Sequence, residues 1–111
     1  MPDLDHFRTL LRSARDALIA EDRMAEQDRA PVTLDQESVG RLSRIDAMQM
    51  QAMALAQARR RHSERMAIDA ALARIDEGEF GYCVRCGDEI AEPRLLRNPS
   101  VATCIGCARN E

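Results

Sequence analysis

Cys83, Cys86, Cys104 and Cys107 form two C-x-x-C knuckles separated by 17 residues, and they are the only cysteines in the chain. This spacing constrains the fold more than any other feature, because it is that of a tetrahedral structural zinc site. Gly87 follows the first knuckle and Gly106 lies inside the second. Glycine permits the tight turn that brings paired sulfurs to face one ion. Four thiolates leave no coordination position for water, so such a site is structural and closed. Two disulfides, a redox-active C-x-x-C and an oxidation step that expels zinc are the competing readings. The opening MPDLDHFRTL is acidic and amphipathic and does not read as a secretory signal, which favours a reducing, cytoplasmic setting. A redox C-x-x-C would be expected in a βαβ context, which the pattern does not offer.

The chain has 111 residues, few for an unaided core, and a metal staple suits that size. Phe7, Phe80 and Tyr82 are its only aromatics, and two of the three lie just before Cys83. The remaining apolar content is mainly Ala, Leu, Met and Ile, as in close-packed helices, and no apolar run approaches a membrane span. All 16 basic residues are arginine, against 19 acids, for a formal charge of −3. Four thiolates around one dication make the charge more negative still. General attraction to phosphate backbones is therefore weak, and sequence-specific DNA binding is not expected.

Residues 3–29 read as one amphipathic helix. Leu4, Phe7, Leu11, Ala14, Leu18, Glu21 and Ala25 recur at steps of three and four, a coiled-coil-like seam broken only at Glu21. Asp3 or Asp5 suits the positive end of the helix dipole, and Pro31 ends the helix. Thr33 with Gln36, or Ser43 with Asp46, resembles a capping box for a second helix over about 43–77, closed by Gly78. Its apolar stripe is Ile45, Met48, Ala52, Leu55, Met66, Ile68, Leu72 and Ile75. The short connection predicts an antiparallel pair. At 1.5 Å per residue the rods are about 40 and 52 Å long, so the second helix outruns the first, expected at the cysteine end. The fold class is thus mainly α: a helical hairpin over 1–77 with its tip near 30–43, then a C4 zinc-finger globule over 78–111.

Met48 and Met66 are assigned to the core by their spacing, and Met50 and Met53 to the surface. His6 and His62 lack a second ligand at helical spacing and are not metal candidates. Phe80 and Tyr82 are placed as cover for the metal site. Arg59, Arg60 and Arg61 span nearly a helical turn, and serve either a partner or nucleotide contact or a solvated face near Glu64 and Asp69. No nucleophile–base pair, phosphate-binding glycine loop or open metal site is visible, so no enzymatic activity is expected.

The segment GEFGYCVRCGDEIAEPRLLRNPSVATCIGC, residues 78–107, resembles the zinc finger of the DksA/TraR family. The G-x-F-G-Y-C entry, the C-x-x-C-G-x-x-I turn, the R-L segment, the proline before the second knuckle and the last C-x-x-C carry the likeness. The resemblance implies a cytoplasmic transcription regulator, acting as a monomer, that binds bacterial RNA polymerase. Its hairpin would enter the secondary channel, often together with ppGpp, with acids at the tip acting near the catalytic region. The family's acidic D-x-x-D-x-A tip pattern, counted back from Cys83 without gaps, falls on Gly40, Ser43 and Ile45. Asp35, Glu37 and Asp46 are the tip candidates that remain. The same count places one ppGpp-contacting arginine on Arg60 and two of the family's lysines on Ala67 and Ala108. A zinc-ribbon adapter that binds another protein or nucleic acid without regulating polymerase is the alternative.

Overall fold

The structure is a computed structural model, and it describes residues 3–28 and 41–109. Among the described residues four helices follow in order: α1 (Leu4–Asp28), α2 (Arg41–Glu77), α3 (Glu92–Arg97) and α4 (Ile105–Arg109). Asp3 starts α1, its carboxylate accepting the His6 backbone N–H at 3.3 Å. The end of α2 is a Schellman turn. Gly78 sits at φ +74, its N–H donates to the Ile75 carbonyl, and the Glu79 N–H donates to that of Arg74 at 2.8 Å. A side chain at position 78 would be strained in that left-handed conformation.

α1 and α2 pair antiparallel, as three sets of charges show. Arg8 meets Asp76 at 3.3 Å, Arg15 meets Asp69 at 3.6 Å, and Asp22 meets Arg61 and Arg65. Arg8, Arg15 and Asp22 are spaced by sevens, the repeat of a coiled-coil seam. The first two pairs are the more exposed and set register more than they stabilise. The third is partly buried, with the Arg61 side chain only 6% exposed.

One continuous apolar core joins the base of the hairpin to the cysteine module. α1 contributes Phe7, Leu11 and Leu18, and α2 contributes Ile68, Ala71 and Ile75. Phe80, Cys83, Ile90 and Leu95 complete it from the C-terminal segment. The rings of Phe7 and Phe80 lie 5.2 Å apart at a tilt of 47°.

Four expectations change. The register above puts the end of α1 level with about residue 56 of α2. α2 therefore runs about 15 residues, roughly 22 Å, past the level of Asp28, at the end away from the cysteines rather than beside them. Helix α2 is already formed at Arg41, so Ser43 lies within it and the Ser43/Asp46 box is not its start; Thr33/Gln36 lies outside the described residues. On α1, Glu21 is exposed and Asp22 takes the seam position.

The stripe assigned to α2 is not one face. Successive residues turn by about 100°, so Met66 and Ile68 point to nearly opposite sides. Ile68 and Ile75 are buried against α1, Leu72 packs on their cluster, and Met48 and Met66 stand 68% and 59% exposed with Ile45 and Leu55 at 47%.

Candidate metal centre

Each knuckle gets its shape from a different local structure. In the first, the Gly87 N–H donates to the Cys83 carbonyl at 2.9 Å, and Gly87 adopts φ +79 to close the turn. The Cys83 N–H donates to the Asp88 carbonyl and the Ile90 N–H to that of Gly81, both at 2.8 Å, around an antiparallel bridge between Tyr82 and Glu89. This small hairpin holds Cys83 inward, 3% exposed, and leaves Cys86 at the surface. In the second, Cys104 and Cys107 flank the start of α4, where the Cys107 N–H donates to Cys104 Sγ at 3.5 Å. Helical geometry does the work there. Gly106 has no positive φ, and an added Cβ would meet Cys104 Sγ at an ordinary 3.9 Å. Its glycine is not required by the turn as Gly87 is.

The strut between the knuckles is α3. Pro93 lies in its first turn, where its missing N–H costs nothing. Arg94 Nε donates to the Thr103 carbonyl at 3.0 Å, and the Val84 N–H donates to the Ala102 carbonyl at 2.9 Å. These bonds bring the second knuckle to the first.

The four Sγ atoms lie within 4.8 Å of one another, and all four thiols are free. Cys86 and Cys104 Sγ are 3.7 Å apart, far beyond a disulfide bond. A tetrahedron of sulfurs around zinc at about 2.3 Å has edges of about 3.8 Å, so the donor set fits that ion. The electrostatics point the same way. Backbone N–H groups, that of Cys104 first, pull the Cys83 thiol down to about 6. The neighbouring sulfurs, Cys104 first, push Cys107 up to about 12. Without a cation the cluster cannot hold four thiolates, and a dication removes that repulsion. One structural Zn2+ held by Cys83, Cys86, Cys104 and Cys107 is the arrangement these residues support.

The other candidate residues separate. Asp35 and Glu37 lie outside the described residues. Asp46 is exposed on the projecting part of α2, and Arg59 is exposed. Arg60 is exposed and pairs with Glu64 at 3.6 Å. Arg61 is not available to a partner: its Nε donates to Asp22 Oδ1 between the helices, and it is 5% exposed. Arg65 Nη1 donates to Asp22 Oδ2 at 3.3 Å. Asp22 is held below its ordinary 3.8, first by the Arg61 hydrogen bond and against the cost of desolvation. Arg61 Nη2 and Arg65 Nε are buried without an acceptor. Sequence reasoning missed this clamp. Its signal was Asp22 standing four residues after Leu18, on the seam that Glu21 interrupts.

Comparison with known proteins agrees with this build. The Prokaryotic dksA/traR C4-type zinc finger model matches residues 78–110. An uncharacterized protein of Aquifex aeolicus is 51% identical over 41 residues, 37% of this chain and 28% of that one. The RNA polymerase-binding transcription factor DksA of Escherichia coli K12 is 30% identical over 107 residues, which span 94% of this chain and 68% of that one. In fold, the structure of transcription factor DksA2 from Pseudomonas aeruginosa superposes with a TM-score of 0.78 at 24% identity, covering 96% of this chain and 81% of that one. Paired helices, a four-sulfur cluster on the finger scaffold and this near end-to-end match in sequence place the chain in the DksA/TraR family of C4 zinc-finger proteins.

Proposed function

We propose that this protein is a cytoplasmic transcription regulator that binds bacterial RNA polymerase through the secondary channel, with one structural zinc holding the base of its hairpin. The observation that carries this reading is the alignment over 94% of the chain with a polymerase-binding factor, which takes in the hairpin as well as the finger. The shape supports it. The molecule extends 63 × 30 × 20 Å, and α2 runs beyond the level of Asp28, away from the base. No enzymatic step is assigned to it.

The chemistry at the end of the arm is this chain's own. Gly40 and Ser43 stand where the family's acids are counted, and Asp46 is the nearby exposed acid on α2. Ala67 and Ala108 replace two lysines of the ppGpp contact, so the effect on polymerase is expected to depend little on that nucleotide. Purified polymerase should retain the protein at low salt, and a cleavage factor that uses the same pore should displace it. Transcription from a ribosomal promoter, with and without ppGpp, then compares wild type with an Asp35→Asn/Asp46→Asn pair. Failure to bind polymerase would discard the reading in favour of the adapter, for which a salt-dependent gel shift would reveal a nucleic-acid partner.

A further inference from the structure

The base of the molecule carries a second concave surface that neither the metal nor the hairpin uses. It is a groove of about 480 Å3 between the start of α1, the Tyr82–Glu89 hairpin and the start of α3. That volume lies within the range of about 300–1,000 Å3 usual for ligand pockets. Its floor is Phe80, Ile90 and Leu95, all at most 5% exposed and fixed by the core beneath the cysteines. Its mouth is formed by Leu4 and Tyr82, large side chains left about 40% exposed. A rigid apolar floor with an exposed apolar lip is the form of an anchor pocket for a side chain from another protein.

Charge selects the occupant. The ionisable carboxylates that line the groove among the described residues are Glu89 and Glu92, both exposed. No arginine among the described residues lines it. Two exposed carboxylates beside an apolar pocket repel a phosphate-bearing ligand and favour a cation on each side of an apolar anchor. We propose that this groove docks a protein segment in which an aromatic or branched aliphatic residue is flanked by lysine or arginine. The groove lies at the base, at the opposite end from the projecting part of α2. A segment seated there leaves the arm free, so one partner can hold the base while the arm engages elsewhere. This inference does not rest on the polymerase reading, and its test contains no polymerase.

The test is a titration of the full, zinc-loaded, 15N-labelled chain with acetyl-Ala-Lys-Phe-Lys-Ala-amide at low salt. Two control peptides replace both lysines by glutamate or the phenylalanine by serine. The expected result is saturable shifts confined to the amides of residues 80–82 and 89–95 and of Leu4. Both controls should bind at least tenfold more weakly. Glu89→Gln/Glu92→Gln should weaken the lysine peptide at least fivefold without changing the melting temperature, because both residues are exposed. Three results would each overturn the proposal: no saturable shift at millimolar peptide, shifts on another face, or equal binding of the three peptides. An NOE from the Met1 side chain to the Phe80 ring would assign the groove to the chain's own start and overturn it equally.

Discussion

Phe7 is where the hairpin and the zinc module become one folding unit, and its replacement tests that unit most directly. Its side chain is 1% exposed, and its ring sits 5.2 Å from that of Phe80, which comes from the cysteine segment 73 positions later. Phe7→Ala removes a buried ring whose loss costs about 3–5 kcal/mol. Unfolding entropy of about 2.1 cal/mol/K per residue gives about 0.23 kcal/mol/K for a chain of this length. The melting temperature should therefore fall by roughly 13–21 °C. The fall should appear both in far-UV circular dichroism and in release of zinc to a chromogenic chelator, because the ring supports both parts. Phe80→Ala should behave alike, and the double variant should lose less than the sum by about 0.5–1.5 kcal/mol, the scale of an aromatic pair. A fall below about 4 °C, or strict additivity, would refute the shared core. So would a melt in which the helices and the metal respond separately.

Chelating the zinc, or making Cys83→Ser, should collapse the NMR dispersion of residues 80–107 and lower the melting temperature of the helices that share their core, while below that lowered melt most helical circular dichroism survives, since α1 and α2 also face each other directly. Unchanged melting after complete chelation would contradict a structural ion. At the clamp, Asp22→Leu should lower the melting temperature by stranding two guanidinium groups, whereas Asp22→Leu/Arg61→Leu/Arg65→Leu should recover most or all of the loss. On acidification, the metal should leave before the clamp fails, because thiolates take up protons at higher pH than a paired carboxylate. The folded value of Asp22 is depressed, so its contribution is complete above about pH 4, and it disappears as pH falls through a value below 3.8. Zinc release and the loss of helix followed together through an acid titration would show that order. In hydrogen exchange, amides of residues 43–55 should exchange faster than those of 61–75, which carry the buried seam.

Much of this was legible in the residues because it depends on local chemistry. The cysteine spacing determined the metal set, the α1 seam located Phe7, Leu11 and Leu18, and Gly78 marked the end of α2. What failed depended on register between the helices. α2 is apolar on several faces, so steps of three and four can be traced through Ile45, Met48 and Leu55 as readily as through Ile68 and Ile75. Only the partner helix decides which face is covered. Arg61 illustrates the same limit. In a run of three arginines it looks solvated, yet it is the one whose direction along α2 matches Ile68 and Ile75, and Asp22 meets it there. The longer reach of α2 could be read from helix lengths, but the end at which it projects could not.

That projection bears on how the arm would act. Its first 15 residues lie level with no described part of α1, and they expose Ile45, Met48, Met50, Met53 and Leu55. The ionisable residues in this stretch are Arg41, Arg44 and Asp46. A helix of that length is marginal alone in water, even with favourable alanines such as Ala47, Ala52 and Ala54. A solvated arm would be polar on its open faces, and this one exposes large apolar side chains. An arm built to place charge would not carry Gly40 and Ser43 where its relatives are counted to carry acids. If the hairpin enters a pore of polymerase, it therefore contributes an apolar, methionine-rich surface that adapts to the walls by packing. The consequence separates the two modes. Ile45→Asp/Met48→Asp should weaken polymerase binding more than Asp46→Asn does, and the reverse order would return the arm to an electrostatic role.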